Sequence, residues 1–414
     1  MAVTKPLTLR RQQSTGVAQR SGAKKFRLQA QVIVDNEVFH LNQSFSYAIP
    51  ETLETYIQRG SVVNVSFNMV NKIGVVVSVE VANERNLKWI TSLASNFVIP
   101  DNLMSLVSAL ESENICHPFD LYRSVLPPLG KFKAELMYAP RASELKGSSK
   151  VSFVKLEIGE NPTELIKNRL LRDLTKRRIA IFPTLRQLRE FVDLMQLSKL
   201  DVVEIGPHLS PAILRKAYER TLTSCCVAGL RSAVFAPVVN VDEIIVVDEF
   251  SDHYVEQRNP YWNVRDVALK RSEIDQCDLF FMGMTPSLEL YRRIAEDEIG
   301  IVRKRNIQPF TKRPRINTAP QNYLKDVRSS LRAGSVLISV AGKHFANTFV
   351  CQKCRSIPRC DCGGKLFLPK RNLYRCSLCA RETEKWSCRE CSSPSIYMLS
   401  AGAERLSEEL RRSF

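Results

Sequence analysis

Residues 351–393 read CQKCRSIPRCDCGGKLFLPKRNLYRCSLCARETEKWSCRECSS and hold eight of the twelve cysteines of a 414-residue chain. They fall into four pairs: Cys351-x-x-Cys354, Cys360-x-Cys362, Cys376-x-x-Cys379 and Cys388-x-x-Cys391. A C-x-x-C turn brings two thiolates onto one ion, and two such turns close a tetrahedral four-sulfur shell. Eight cysteines thus supply two zinc ions with no open position, the arrangement of a structural site, and the metal replaces the core that so short a segment cannot build. Cys360-x-Cys362 is tighter than usual, but Gly363 and Gly364 give the backbone freedom to bring both sulfurs inward. Spacing names the eight ligands and leaves open which four share an ion. Disulfides are the alternative, and they need an oxidising compartment. The N-terminal stretch MAVTKPLTLRRQQSTGVAQRSGAKK has no apolar core to serve as a secretory signal. No run of about 18 apolar residues crosses a membrane either. These features predict a cytoplasmic chain with reduced thiols and no membrane partner, its residues 1–27 a basic disordered tail.

Sixty basic residues against 43 acidic ones give a formal charge of +17, a field that attracts polyanions and above all nucleic acid. Lys365, Lys370, Arg371, Arg375, Arg381, Lys385 and Arg389 lie among the cysteines, with Phe367, Tyr374 and Trp386 between them. Cations beside aromatic rings suit single strands, with phosphates paired and bases stacked. The plainer reading is that these rings cover the metal core, and both can hold. Cys116 and His117 lack further ligands nearby, and Cys225, Cys226 and Cys277 sit in or beside apolar runs, so packing is the expectation for all of them.

Residues 28–100 predict a β-rich unit, because LQAQVIVD, SFSYAIP, SVVNVSF and KIGVVVSV are rich in β-branched and aromatic residues and bounded by Gly, Asn or Pro. From 101 the pattern turns helical (NLMSLVSALES, then FDLYRSVL) and ends at Pro127-Pro128; residues 101–150 predict a winged-helix-like segment with a linker at KGSSK. Residues 151–318 follow, in which RIAIFP, DVVEIG, SCCVAG, EIIVVDE and LFFMGM alternate with helical stretches, the pattern of a parallel sheet with crossover helices. SVLISV at 335–340 predicts one more strand. Asp248-Glu249 at a strand end are placed as in nucleotide-hydrolysing lobes, where Asp holds magnesium and Glu orients water. The required partner G-x-x-x-x-G-K-[ST] is absent: the segment before RIAIFP reads LEIGENPTELIKNRLLRDLTK. Lone acidic residues at strand ends are common, which weighs against a catalytic role for this degenerate pair.

The chain resembles the PriA family of primosomal replication-restart proteins (primosomal protein N′). FSYAIPE followed by KIGVVVSV resembles its N-terminal domain, HPFDLYRSVLPP its winged-helix end, and GLRSAVFAP with VVDEF its helicase stretch and acidic strand. RDVALKRS and MTPSLE resemble later helicase segments, and the cysteines ending in GAERLSEEL the family's zinc insertion. The resemblance implies an α/β multidomain chain: a β-rich 3′-DNA-end-binding domain (28–100), a winged-helix-like segment, one RecA-like parallel α/β lobe (151–318), and the start of a second lobe (319–414) carrying the two-zinc module at 351–391. It implies recognition of stalled forks, D-loops and single strands, with primosome proteins, the replicative helicase and single-stranded-DNA-binding protein as partners. The family's 3′-end pocket falls on Phe45, Ser46, Asn68 and Lys88, with Ser in place of its Asp and Asn in place of its Gly. Its nested zinc pairing implies Cys351, Cys354, Cys388 and Cys391 on one ion and Cys360, Cys362, Cys376 and Cys379 on the other. The family is an ATP-dependent 3′→5′ helicase. Here the phosphate loop is missing, the family's R-R-G-[FY] run stands as AGKHF at 341–345, and the remainder of the second lobe would lie beyond Phe414. The expectation is therefore DNA binding without ATP turnover. An atypical helicase or a zinc-containing scaffold for primosome partners are the alternatives.

Overall fold

Alternating apolar residues in the first hundred positions build a barrel. The computed structural model describes residues 26–36, 38–83, 86–113, 116–131, 149–157, 159–302, 323–340, 342–400 and 402–414, so all of the expected tail at 1–27 except Phe26 and Arg27, and most of the KGSSK linker, lie outside the described residues. Strands β1 (Leu28–Val34), β2 (Phe45–Ala48), β3 (Ser61–Phe67), β4 (Val70–Val81) and β5 (Lys88–Val98) close in the order β1-β2-β5-β3-β4. Ala30, Val32, Tyr47, Val63, Val65 and Ile90 fill the interior. Closure leaves no free edge for another chain to extend. Asn68 and Met69 connect β3 to β4 with φ of 48° and 62°, the two left-handed residues of a tight hairpin turn.

Two helices follow. α1 (Asp101–Glu113) buries Leu103, Met104, Leu106, Val107 and Leu110, one helical face. α2 (Pro118–Val125) starts with proline in its first turn, where no amide partner is lost, and stops before Pro127. His117 caps α2: its Nδ1 accepts the Phe119 amide at 3.2 Å, and its Nε2 lies 3.2 Å from both Asn36 Nδ2 and the Leu41 carbonyl. Cys116 and His117 are thus packed and hydrogen-bonded. Only these two helices of the expected winged helix lie among the described residues.

The third element is a seven-stranded parallel sheet. Its strands are β6 (Val151–Lys155), β7 (Arg178–Ile181), β8 (Val203–Ile205), β9 (Cys226–Gly229), β10 (Glu243–Val247), β11 (Asp278–Gly283) and β12 (Gly300–Val302), in spatial order β12-β6-β11-β10-β7-β9-β8. Helices α3 (Pro162–Arg172), α4 (Leu185–Leu197), α5 (Pro211–Arg220), α6 (Val264–Asp275) and α7 (Leu288–Ala295) connect them. The central strands are buried on both faces, which is why their sequences read as unbroken apolar runs. Ile179, Ile181, Ile244 and Val246 face one core, while Ala180, Phe182, Ile245 and Val247 face the other. The first core continues through Ile33, Val75, Phe97 and both α1 and α2, so barrel, helices and sheet share it. Cys226 and Cys277 are buried as expected, whereas Cys225 is only half-buried.

The chain forms two compact units, residues 1–308 and 309–414. The second unit contains α8 (Tyr323–Leu331), β13 (Phe349–Cys351), β14 (Leu366–Lys370), β15 (Leu373–Cys376), β16 (Glu382–Thr383), β17 (Ile396–Met398) and α9 (Ala403–Ser413). β13 pairs with β17, and β14-β15-β16 form a small antiparallel sheet. Phe345, Phe349, Leu366, Leu368 and Tyr374 make its core. The strand expected at 335–340 is not formed: SVLISV takes no regular structure, and Leu337 is 94% exposed. Its apolar residues meet no partner strand among the described residues, and strand propensity alone does not hold an isolated segment. No described helix is long and apolar enough to cross a membrane.

Candidate metal centres and nucleic-acid interface

The eight clustered cysteines converge as two separate groups of four, each with all sulfurs within 4.8 Å of one another: Cys351, Cys354, Cys388 and Cys391, and Cys360, Cys362, Cys376 and Cys379. This is the nested partition. Each pair is held by a tight turn: the amides of Arg355, Gly363, Ala380 and Ser392 donate to the carbonyls of Cys351, Cys360, Cys376 and Cys388 at 2.8–3.2 Å. The residue closing each turn is left-handed, with φ of 61° at Arg355, 85° at Gly363, 57° at Ala380 and 55° at Ser392. The short Cys360-x-Cys362 turn has glycine there, and the next residue is constrained differently. A Cβ on Gly364 would stand 2.5 Å from Cys376 Sγ, so the backbone itself lies against the sulfur cluster. Hydrogen bonds to sulfur favour thiolate at one cysteine of each group: the Cys379 amide chiefly lowers the Cys376 thiol to about 6, and the Ser356 hydroxyl chiefly lowers that of Cys388 to about 6, whereas, despite amides from Arg381 and Ser393, the neighbouring thiols push Cys379 and Cys391 up. Four-sulfur groups of this kind can hold a tetrahedral metal ion.

At one end of the barrel, Phe45 packs edge-on against Phe67, with ring centroids 5.1 Å apart. Asn68 follows Phe67 directly and is exposed. Lys88 opens β5, pairs in register with Tyr47, and lies two residues before Ile90, the partner of Val65; it therefore comes to the same end. Ser46 is on the other face of β2 from Phe45 and Tyr47, and Gln31 Nε2 donates to its hydroxyl at 3.1 Å. Three of the four expected residues thus gather at the barrel mouth, and the fourth flanks it from outside.

The acidic pair after β10 is occupied by the protein itself. Glu249 is 4% exposed; it accepts from the Ser287 hydroxyl at 2.5 Å, the Ser287 amide at 3.1 Å and Arg265 Nη1 at 3.2 Å, tying β10 to the cap of α7. Asp248, at φ 50°, accepts from Gln187 Nε2 at 3.0 Å. Doubly wound sheets bind ligands where the strand order reverses, which here lies between β10 and β7. The fully buried Tyr254 puts its hydroxyl at that point, 2.6 Å from the Val247 carbonyl and 2.9 Å from that of Ile181. The turn from β6 to α3 carries Glu157, Glu160 and, in the first helical turn, Glu164. The Glu160 carboxylate accepts the Glu157 amide at 3.0 Å, so an anion of the chain already takes a backbone donor in the loop that precedes α3.

A family model described as 3′DNA-binding domain matches residues 31–127, covering the barrel and both following helices. The chain is 29% identical over 243 residues to a probable replication restart protein PriA of Mycobacterium leprae, a match covering 53% of this chain and 37% of that protein. Against replication restart protein PriA of Bacillus subtilis it is 26% identical over 212 residues, 45% of this chain and 25% of that one. The match to PriA of Rickettsia prowazekii is more distant and longer, 23% over 410 residues, covering 88% of this chain and 62% of the other. This chain is a relative of replication restart protein PriA. It spans well under half the length of the first two of these PriA proteins.

The 3′DNA-binding-domain match covers the barrel, but sequence reasoning missed Tyr254 and the part played by His344. Tyr254 carries no local signal for its place between two strands distant in sequence. Tyr374 and Trp386, for which the sequence offered base stacking or cover of the metal core, turn inward onto Phe349, at 5.5 Å and 5.6 Å between centroids, as the covering reading expects. Phe367 alone of the three faces outward, and its neighbour is His344, which the sequence did not single out.

Proposed function

We propose that this chain is a DNA-binding protein of replication restart that engages stalled forks and D-loops and helps to reload the replicative helicase with other primosome proteins, in the cytoplasm and without ATP turnover of its own. The observation that carries this reading is the 3′DNA-binding-domain match over residues 31–127 on a barrel whose mouth gathers Phe45, Phe67, Asn68 and Lys88. An aromatic wall suits the terminal base and Lys88 suits its phosphate, while Ser46, on the outer face of β2, is not part of that pocket. Two zinc ions in the four-sulfur groups brace the second unit, which adds cationic surface.

The absence of ATP turnover rests on chemistry at the sheet's carboxyl end. Three glutamates near the start of α3 oppose the charge of a triphosphate, and Glu249 is committed to Ser287 and Arg265. The helicase alternative requires DNA-stimulated ATP hydrolysis that Asp248→Asn abolishes. The deciding experiment compares a fork ending in a 3′ hydroxyl with one ending in a 3′ phosphate. Tighter binding to the hydroxyl, reduced by Phe45→Ala, supports the reading; equal binding, unaffected by Phe45→Ala, refutes end recognition and favours the scaffold.

A further inference from the structure

The second unit has an open cleft of about 220 Å³ lined by His344, Asn347, Lys365, Phe367 and Ser377. That is smaller than the roughly 300–1,000 Å³ of a drug-sized pocket and suits one heterocyclic ring system. His344 and Phe367 form its apolar wall as a two-ring platform, with centroids 4.9 Å apart and planes tilted by 44°. Phe367 and Lys365 share the outward face of the β14 segment, while Leu366 and Leu368 point into the core. Lys365 Nζ donates to Thr348 Oγ1 at 3.2 Å, which fixes a cation at the rim. Asn347 and Ser377 are exposed and offer donors and acceptors to a ring edge.

His344 has φ of 70°, where glycine would be unstrained. The surroundings impose this conformation: the Glu404 amide donates to the His344 carbonyl at 3.2 Å, the Phe345 amide to that of Leu368 at 3.0 Å, and the Gly402 amide to that of Phe345 at 3.1 Å. An imidazole held at a strained backbone position, with its ring on an outward phenylalanine, contributes little to the core. Strain of this kind concentrates where a side chain is needed for binding.

We infer that this cleft takes an unpaired nucleobase of single-stranded DNA, stacked on the His344–Phe367 platform, with Asn347 and Ser377 at its edge and Lys365 on the adjoining phosphate. The inference rests on the DNA-binding reading and adds a second contact, distinct from the barrel mouth. Ser377 lies inside the Cys376–Cys379 turn, and its amide donates to the Lys365 carbonyl at 2.9 Å, so the inner metal group also positions the cleft.

The test uses the full metal-replete chain and two labelled oligomers of equal length and charge, oligo(dT) and an abasic backbone. His344→Gly is the informative variant because glycine accepts the backbone angle, and unchanged metal content verifies that the unit is intact. The parent should prefer oligo(dT). His344→Gly and Phe367→Ala should each weaken that binding about tenfold, the effect of losing one stacked base, and leave abasic binding unchanged. Equal binding of both oligomers by the parent, or full affinity in His344→Gly, overturns the cleft and leaves DNA binding standing. Failure of the parent to bind either oligomer overturns the DNA-binding reading as well. Displacement of oligo(dT) by an equal concentration of dAMP identifies a free nucleotide as the occupant and overturns the assignment to a strand.

Discussion

The two units hold themselves together by different means. Residues 1–308 bury an extended apolar core on both faces of the sheet and within the barrel, and their buried charges are paired. Glu243 is the clearest case: it accepts from Arg169 at 2.7 Å and 3.0 Å, from Arg178 at 2.8 Å and from Lys176 at 3.2 Å. Residues 309–414 have a small core of a few aromatic and aliphatic side chains beside eight thiols. Apolar burial is diffuse and tolerates the loss of one group, whereas a tetrahedral shell depends on every ligand.

Metal removal should separate the units most strongly. A structural zinc ion contributes about 10–16 kcal/mol to the folding of a small metal-bound module. Chelation should therefore unmask the amides of β13–β17 in hydrogen exchange and leave β6–β11 protected; equal protection throughout would show that the second unit folds without metal. Cys376→Ser should bind one ion per chain instead of two, read by metal analysis. Next in size, Glu243→Gln leaves the 1%-exposed Arg178 without its counter-charge and should cost the first unit about 3–5 kcal/mol in denaturant unfolding. Burial raises the Glu243 carboxyl, but hydrogen bonds from Arg169 and Arg178 overcome it and hold it at about 2. A depressed folded-state pKa stabilises above the ordinary carboxylate range; that stability falls away as pH drops through that range toward 2, and Glu243→Gln should flatten this acid limb.

Smaller effects sharpen the contrast. Gly364→Ala pushes a methyl group against Cys376 Sγ and should cost about 1–3 kcal/mol, as overpacking does, confined to the second unit. Metal affinity at the inner group is the readout, and an unchanged affinity would mean that the turn yields freely. Leu337→Asp, at a 94%-exposed position, should shift unfolding by less than about 0.5 kcal/mol. A larger loss would restore the strand expected at SVLISV.

The parallel sheet was legible because strands buried on both faces must be continuously apolar, as EIIVVDE and LFFMGM are. β5 was not, since Ser92, Ser95 and Asn96 interrupt KWITSLASNFV and its pairing with β3 shifts register twice. SVLISV failed for the opposite reason, strong propensity without a partner. Among the site residues, the thiols announced themselves by spacing, but their partition came from family resemblance and then from geometry. The His344–Phe367 platform was hidden because it depends on a backbone angle at one residue and on a sheet face at the other, and neither is written locally.

The nested arrangement of the two sulfur groups has a consequence for how the second unit is assembled. The inner contact, Cys362 to Cys376, spans 14 positions, and the outer contact, Cys354 to Cys388, spans 34 and encloses it. In a flexible chain the longer closure costs about 0.8 kcal/mol more entropy than the shorter one. Once the inner loop is pinned, the free length of the outer loop shrinks, and its closure becomes cheaper. The inner group also lies wholly upstream of Cys388 and Cys391, so a ribosome delivers it complete while the outer group still lacks half its ligands. If both groups take a metal ion, the inner one should therefore close first, and limiting metal should leave chains with a closed inner group and an open outer one, which mass spectrometry of partly loaded protein checks.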